Sequence, residues 1–230
     1  MNYMLIILLG GSTLENLNSE ISSDYNIEQS SREIQQNSYI RFFNASANSP
    51  AVDIYVNNNL LVQNLPYGEF SLYFPLSSGN YNIKIYNTGE TENPLVDAYL
   101  YVAPNTISNL AIVGNNPNLS LYTIPEPVTA QNFGRPCIRF VNLSPDSPAL
   151  DLNLSTGTKV FNNITYRKIT DYACLPSGTY TFTINATGSN NVILTIPNAN
   201  LLPNTYYTIY ILGSTGVSIP LKAVVTAEQR

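Results

Sequence analysis

Tyr39-Ile40-Arg41-Phe42-Phe43-Asn44-Ala45-Ser46-Ala47-Asn48-Ser49-Pro50-Ala51-Val52-Asp53-Ile54 aligns without a gap, at an offset of 98 residues, with Cys137-Ile138-Arg139-Phe140-Val141-Asn142-Leu143-Ser144-Pro145-Asp146-Ser147-Pro148-Ala149-Leu150-Asp151-Leu152. Ile-Arg-Phe, Asn, Ser, Ser-Pro-Ala and Asp are common to both stretches. The match continues at an offset of 99: Tyr67 with Tyr166, Ser78-Gly79 with Ser177-Gly178, Tyr81 with Tyr180, Thr88-Gly89 with Thr187-Gly188, Pro104-Asn105-Thr106 with Pro203-Asn204-Thr205, and Gly114 with Gly213. A period of about a hundred residues, well beyond the 20–50 of solenoid repeats, means two self-contained domains.

Within each copy apolar and polar residues alternate. Tyr81, Ile83 and Ile85 interleave with Asn82, Lys84 and Tyr86, and Tyr180, Phe182 and Ile184 with Thr181, Thr183 and Asn185. A period of two is a strand with one buried face. Turn signals such as Ser78-Gly79, Thr88-Gly89, Pro104-Asn105 and Gly114-Asn115-Asn116-Pro117 recur at short intervals. The spacing predicts seven or eight strands per copy, beginning near Tyr39, Ala51, Leu60, Glu69, Asn80, Leu95, Thr106 and Asn118. Many short strands of this kind imply an all-β fold: two tandem Ig-like or transthyretin-like antiparallel β-sandwiches, each hiding one face of its sheets in its own interior. The expected boundaries are 39–124 and 137–226, joined by a proline-containing semi-stiff linker over 125–136.

Residues 1–38 stand apart. Met4-Leu5-Ile6-Ile7-Leu8-Leu9 is an apolar run, far short of the roughly 20 residues that span a bilayer. Small residues follow it, as in a secretory signal, but no Lys or Arg precedes it. The stretch from Ser12 to Asn37 is polar and acidic, and reads as a mostly disordered extension.

Composition narrows the chemistry. Hydrophobic residues make up 44% of the 230 and charged residues 11%, against a usual charged share of about a quarter. Ten Lys and Arg and a net charge of −5 give no cationic stripe for nucleic acid or anionic membrane. The absence of histidine removes the commonest general base and the commonest zinc ligand. Neither a GxSxG nor an SxxK nucleophile motif occurs, so no catalytic centre and no cofactor are expected. Cys137 and Cys174, the only thiols, form either one disulfide or two separate small buried thiols.

Several residues are weighed for a site. Asp53 and Asp151, just after the Ser-Pro-Ala turns, either bind a cation or pin the turn by accepting backbone N–H groups, with Arg41 or Arg139 as partner. Calcium would need Asp146 and Asp151 with nearby carbonyls, but Asn48 replaces Asp146 in the first copy. Glu69, Asp97, Asp146 and Asp171 are the carboxylates a glycosidase would draw on, and nothing in their spacing pairs them. Seventeen Tyr suit a sugar platform, with Tyr99/Tyr101 and Tyr206/Tyr207 bound to place a ring outward. Asn44-Ala45-Ser46 and Asn142-Leu143-Ser144 fit the glycosylation triplet, as chance allows in so Asn-rich a chain.

The segments from Ile40 to Tyr55 and from Ile138 to Asn153 resemble a bacterial family known as domain of unknown function 4397. Its signature is similar to Arg-x-Val-His-x-Ser-Pro-Asp-x-Pro-x-Val-Asp-Val-Tyr, followed by a Gly-x-Tyr strand. Arg41, Ser46, Pro50, Val52, Asp53 and Tyr55 match it in the first copy, and Arg139, Ser144, Pro145, Asp146, Pro148 and Asp151 in the second. Gly79-x-Tyr81 and Gly178-x-Tyr180 match in both, while Asn44 and Asn142 stand where the family often has His. The resemblance implies a β-sandwich, often in tandem, in exported or envelope-associated proteins, and implies no activity. The function expected is therefore a non-enzymatic surface or structural protein of cell-envelope or spore-coat type, outside the cell or on the cell or spore surface. A carbohydrate- or peptide-binding module is the alternative, so that other surface proteins or glycans are the expected partners.

Overall fold

The computed structural model describes residues 37–129, 134–214 and 219–228. The apolar leader, nearly all of the acidic extension and linker residues 130–133 lie outside the described residues. Each copy contributes eight strands: β1 (Ser38–Asn44), β2 (Val52–Val56), β3 (Asn59–Leu65), β4 (Phe74–Leu76), β5 (Gly79–Asn87), β6 (Val96–Val102), β7 (Ile107–Asn115) and β8 (Asn118–Glu126), then β9 (Cys137–Asn142), β10 (Leu150–Leu154), β11 (Lys159–Ile164), β12 (Ala173–Cys174), β13 (Gly178–Ala186), β14 (Val192–Leu201), β15 (Tyr206–Leu212) and β16 (Lys222–Ala227). The described residues contain no helix, and so none long and apolar enough to cross a membrane.

The first copy is a sandwich of two sheets, ordered β4-β1-β7-β8 and β3-β2-β5-β6, and the second repeats it as β12-β9-β15-β16 and β11-β10-β13-β14. This order differs from the immunoglobulin one and leaves the transthyretin-like half of the expectation. The pairing is not wholly antiparallel: β1 runs parallel to β7, and β9 to β15. A parallel pair needs a long crossover, which the whole outer sheet supplies. Glu69 does not open a strand, because regular pairing begins only at Phe74 and Phe70 makes one isolated bridge to Phe43. Nor does the first copy end at Ile124. β8 continues through Pro125 to Glu126, which a proline permits on an edge strand whose outer side needs no donor.

Each sandwich has its own core. Phe42, Ile54, Ile83, Ile85, Leu110 and Ile112 fill the first, and Phe140, Leu152, Phe182, Ile184, Ile209 and Ile211 the second. A third core belongs to both copies: Phe43, Ala111, Val113 and Ile124 from the first meet Val141, Leu143, Tyr210 and Leu212 from the second. The two central sheets are thus buried on both faces, and four sheets stack in the order outer, inner, inner, outer. This corrects the expectation that each copy buries only one face of its sheets. Swinging the copies apart would expose Phe43, Ile124, Val141 and their neighbours at roughly 1.5–3 kcal/mol for each large side chain. The pair therefore behaves as one body, not as two domains on a stiff tether.

Candidate functional site

Alternation along β1 sends Ile40 and Phe42 into the first core and Arg41 and Phe43 to the opposite face, against the second copy. Arg41 is there almost wholly buried. Its Nη2 donates to Glu126 Oε1 at 3.0 Å and its Nε to Asn109 Oδ1. The guanidinium lies over the rings of Phe70 and Tyr73, at 4.3 and 4.7 Å. Tyr73 donates to both Glu126 oxygens, and Asn109 donates across the interface to the Tyr210 hydroxyl at 2.8 Å. Burial pushes the Glu126 carboxyl above its usual range, with Arg41 and the Tyr73 hydrogen bond pulling it partly back. Burial likewise pushes the Tyr210 phenol up to about 12.

The second copy repeats the arrangement. Arg139 Nη2 donates to Glu228 Oε1 at 2.7 Å, Nε to Thr208 Oγ1 at 2.8 Å, and Nη1 reaches the Pro125 carbonyl of the first copy at 2.6 Å. Tyr172 donates to both Glu228 oxygens. Each ion pair lies within one copy, and the copies are tied to each other beside the pairs by the Arg139–Pro125 and Asn109–Tyr210 hydrogen bonds; the pairs themselves add little strength, since desolvation offsets most of the Coulomb attraction.

Contrary to expectation, the arginines do not reach Asp53 or Asp151, because Arg41 and Asp53 project from opposite outer faces of one sandwich, with the core between them. Asp53 accepts the backbone N–H of Asn64 and of Gly89, at 2.7 and 2.9 Å. Asp151 accepts the N–H of Asn163, the Thr187 hydroxyl and, at 2.6 Å, the Lys159 ammonium. Burial raises the Asp151 carboxyl, but the hydrogen bonds from Lys159, Thr187 and Asn163 outweigh it and hold it below the usual range. Asn44 and Asn142 tie the turn, each donating to the end of the next strand but one, at Leu65 and Ile164. Ser46 and Ser144 donate to the carbonyls of Gly114 and Gly213. Pro50 accepts from Asn44, and Pro148 stands at the matching place in the second turn. Tyr81 and Tyr180 pack on the two cores, their hydroxyls donating to Ser77 and Pro176, just ahead of Gly79 and Gly178 where β5 and β13 begin.

The remaining carboxylates stay apart. Glu69 lies exposed between β3 and β4, Asp97 on the outer face of β6, Asp146 in the β9–β10 turn and Asp171 before β12. Asp146 accepts from Ser214, and Asp97 from Asn82 at 2.7 Å. Among the described residues no three of Cys, Asp and Glu come together as metal ligands. A cleft of about 230 Å³ between β6 and β8 is bordered by Glu126 and floored by Ile40 and Leu110, and no second acidic residue lines it.

Around the ion pairs the interface is keyed. Lys222 of the second copy lies 5.5 Å from the Tyr67 ring, over Gly68, where a Cβ would come within 2.6 Å of its ammonium. At the pseudo-symmetric place Arg167 stands for Gly68 and Ser120 for Lys222: Arg167 donates to Ser120 and its carbonyl accepts from Tyr122. Each contact thus joins one long cation to one small residue. Arg167 adopts φ 63° where its counterpart is a glycine at φ 83°, a conformation that costs a non-glycine residue free energy. Ser120→Lys, which sets two cations against each other, is expected to lower stability by about 0.5–1 kcal/mol. Adding Arg167→Gly recreates the Lys222–Gly68 contact and is expected to restore the melting temperature; a double variant no more stable than the single one would show that the keying is not real.

Cys137 and Cys174 are joined as a disulfide between directly opposed residues of β9 and β12. It anchors a two-residue strand, where the first copy has Tyr39 opposite Pro75 and no crosslink. Intact mass of the unreduced protein is expected to be two hydrogens below that of the reduced protein, and reduction to cost roughly 2–4 kcal/mol.

The expected Tyr206/Tyr207 platform is turned inward. Tyr207 is buried, accepting the N–H of Leu202, and Tyr206 packs on Tyr172 with centroids 4.6 Å apart. Tyr99 and Tyr101, by contrast, are 85% and 63% exposed on the outer face of β6, beside Asn82 and Asn80. The same face carries Tyr55 and Tyr86 in an edge-to-face contact at 5.4 Å, around a hollow shared with Asn58, Lys84 and Thr91.

No curated protein matches the chain. Three solved structures resemble it in outline. The family 26 carbohydrate-binding module of Eubacterium rectale Amy13K, in complex with maltoheptaose, is 12% identical over 84% of this chain and 98% of that one, with a TM-score of 0.26. A streptococcal virulence factor that binds alpha-glucan is 12% identical over 75% and 92%, at 0.25. The multi-modular glycogen-degrading pneumococcal virulence factor SpuA is 11% identical over 86% of this chain and 27% of that one, at 0.26. Scores so low carry nothing about ligand or mechanism. A family model does match, over 38–153 and again over 154–230. With the doubled Arg-Asn-Ser-Asp turn and the doubled sandwich on which it sits, that match places the chain in a family: it belongs to the one described as Domain of unknown function (DUF4397).

Proposed function

We propose that this protein is a non-catalytic structural or contact module of a bacterial surface, of cell-envelope or spore-coat type, made rigid by the fusion of its two sandwiches. The observation that carries the reading is the use made of buried charge. Arg41, Arg139, Glu126, Glu228, Asp53 and Asp151 are all committed to holding turns and the shared interface. Nucleophilic or acid–base chemistry needs a group left free toward a cleft, and the cleft at Glu126 offers one arginine-paired carboxylate where glycoside hydrolysis needs two. The disulfide supports an oxidising compartment. Fractionation with N-terminal sequencing of the mature chain and a thiol assay tests this: the expected result is a surface or spore fraction with both cysteines blocked. Recovery from the cytoplasm with both thiols free would overturn it.

A second reading, a carbohydrate- or peptide-binding module, is favoured by one specific feature, the bare Tyr99/Tyr101 pair.

A further inference from the structure

The outer sheets of the two copies offer an internal comparison. They share strand order and turns, yet the outward positions differ in one direction. Tyr55, Tyr86, Tyr99 and Tyr101 of the first copy correspond to Asn153, Asn185, Asn198 and Asn200 of the second. Asn153 donates to Asn185 at 3.0 Å where Tyr55 and Tyr86 meet edge to face. The second copy shows that the fold forms without aromatic rings at these places. Rings left 85% and 63% exposed contribute almost nothing to burial. Tyr99 and Tyr101 therefore serve something outside the chain, while Tyr86, itself only 7% exposed, packs edge to face with the half-buried Tyr55 beside them.

We propose that the outer face of β2, β5 and β6 binds a neutral glycan, with Tyr99 and Tyr101 as stacking platforms and the Tyr55/Tyr86 hollow as a second anchor; this rests on the binding-module reading. Tyr99 and Tyr101, two residues apart on one strand, stand about 7 Å apart, and Tyr55 lies on the order of 12 Å from Tyr99 across two strand spacings. That spread suits a short oligosaccharide and exceeds one sugar ring. Sugar rings present axial C–H groups, weakly positive, which complement the negative face of a phenol ring. Their hydroxyls need donors and acceptors set between the rings, and Asn80, Asn82 and Asp97 occupy that position, with Asn82 donating to Asp97. Lys84 is paired in register with Asp97, and the Asp53 carboxylate on the same face is held by backbone N–H groups alone, so the face has no excess of positive charge, which disfavours acidic polymers and fits a neutral polyol. An extended peptide would instead call for apolar side-chain pockets, and the hollow here is small, about 190 Å³, and rimmed by Lys84, Asn58 and Thr91.

The test applies the full chain to an array of neutral hexose and N-acetylhexosamine oligomers, alongside a random-peptide display selection. The expected result is binding to at least one neutral oligomer. Tyr99→Ala/Tyr101→Ala is expected to weaken it about tenfold or more at unchanged melting temperature, while Asn198→Ala/Asn200→Ala leaves it as it was. Binding indifferent to the tyrosine pair, or confined to acidic glycans, overturns the proposal. A silent array with selected peptides that depend on Tyr99 and Tyr101 overturns the glycan and leaves the binding-module reading standing; silence in both arms removes both.

Discussion

Arg41→Met is expected to destabilise the full chain by roughly 3–5 kcal/mol at pH 7, read from chemical unfolding, because it leaves the Glu126 carboxylate buried with the Tyr73 hydroxyl as its hydrogen-bond donor and only the more distant Arg139 as a cation. The size of the effect is that of stranding a charge, not the net worth of the pair. Arg41→Met/Glu126→Gln, which removes both charges and keeps an acceptor for Tyr73, is therefore expected to recover more than half of the loss. The pH dependence has a definite sign. Burial raises the Glu126 carboxyl in the folded state, and without the guanidinium it rises further. A carboxyl whose folded pKa lies above its unfolded value favours folding fully below the unfolded value, about 4.3, and loses that contribution as pH climbs through the folded one. The defect of the single variant should thus shrink on acidification, relative to wild type, and be largest near neutrality. A loss under about 1 kcal/mol at pH 7 would mean that water reaches the guanidinium and that the copies are not packed as described.

Tyr210→Ala should be comparably damaging, at roughly 3–5 kcal/mol. The ring is fully buried and sits against Phe43 and Phe70 of the first copy, at 5.1 and 5.8 Å. Tyr210→Phe isolates the polar part: the packing stays, Asn109 loses its acceptor, and the expected cost is roughly 1–3 kcal/mol. Tyr210 stands on the second copy while its ring partners and Asn109 stand on the first, so both variants should lower the resistance of both sandwiches together. Destabilisation confined to the second copy in hydrogen exchange would contradict the shared core.

Much of this was legible in the sequence, and what was not has physical reasons. The repeat and its turns pointed to seven or eight strands in each half, with every expected start of the first copy except Glu69 falling at an observed strand, and alternation in Tyr81–Ile85 and Tyr180–Ile184 marked the true core faces of β5 and β13. Alternation misleads where a strand is buried on both sides, as in β1 and β9, whose middles are closed to water except at Tyr39. Arg41 and Arg139 there mimic a solvent face, but Phe70 and Tyr73 cover the one and Tyr172 the other from the irregular segments ahead of β4 and β12, where no periodicity announces them, and the other copy closes the rest of the sheet. Their partners Glu126 and Glu228 were missed because the aligned repeat ended at Gly114 and Gly213, while these two residues stand 102 apart, beyond a longer connection between β15 and β16. The Tyr-to-Asn exchanges on the outer faces were present in the aligned copies, but they acquire meaning only once the register shows that all four positions point outward.

Scanning calorimetry of the full chain at neutral pH tests the fused architecture most directly. A body with a common third core should melt in a single transition, its calorimetric enthalpy equal to the van't Hoff enthalpy. Two resolved transitions, or a calorimetric enthalpy near twice the van't Hoff value, would show two sandwiches that unfold independently and would contradict the account.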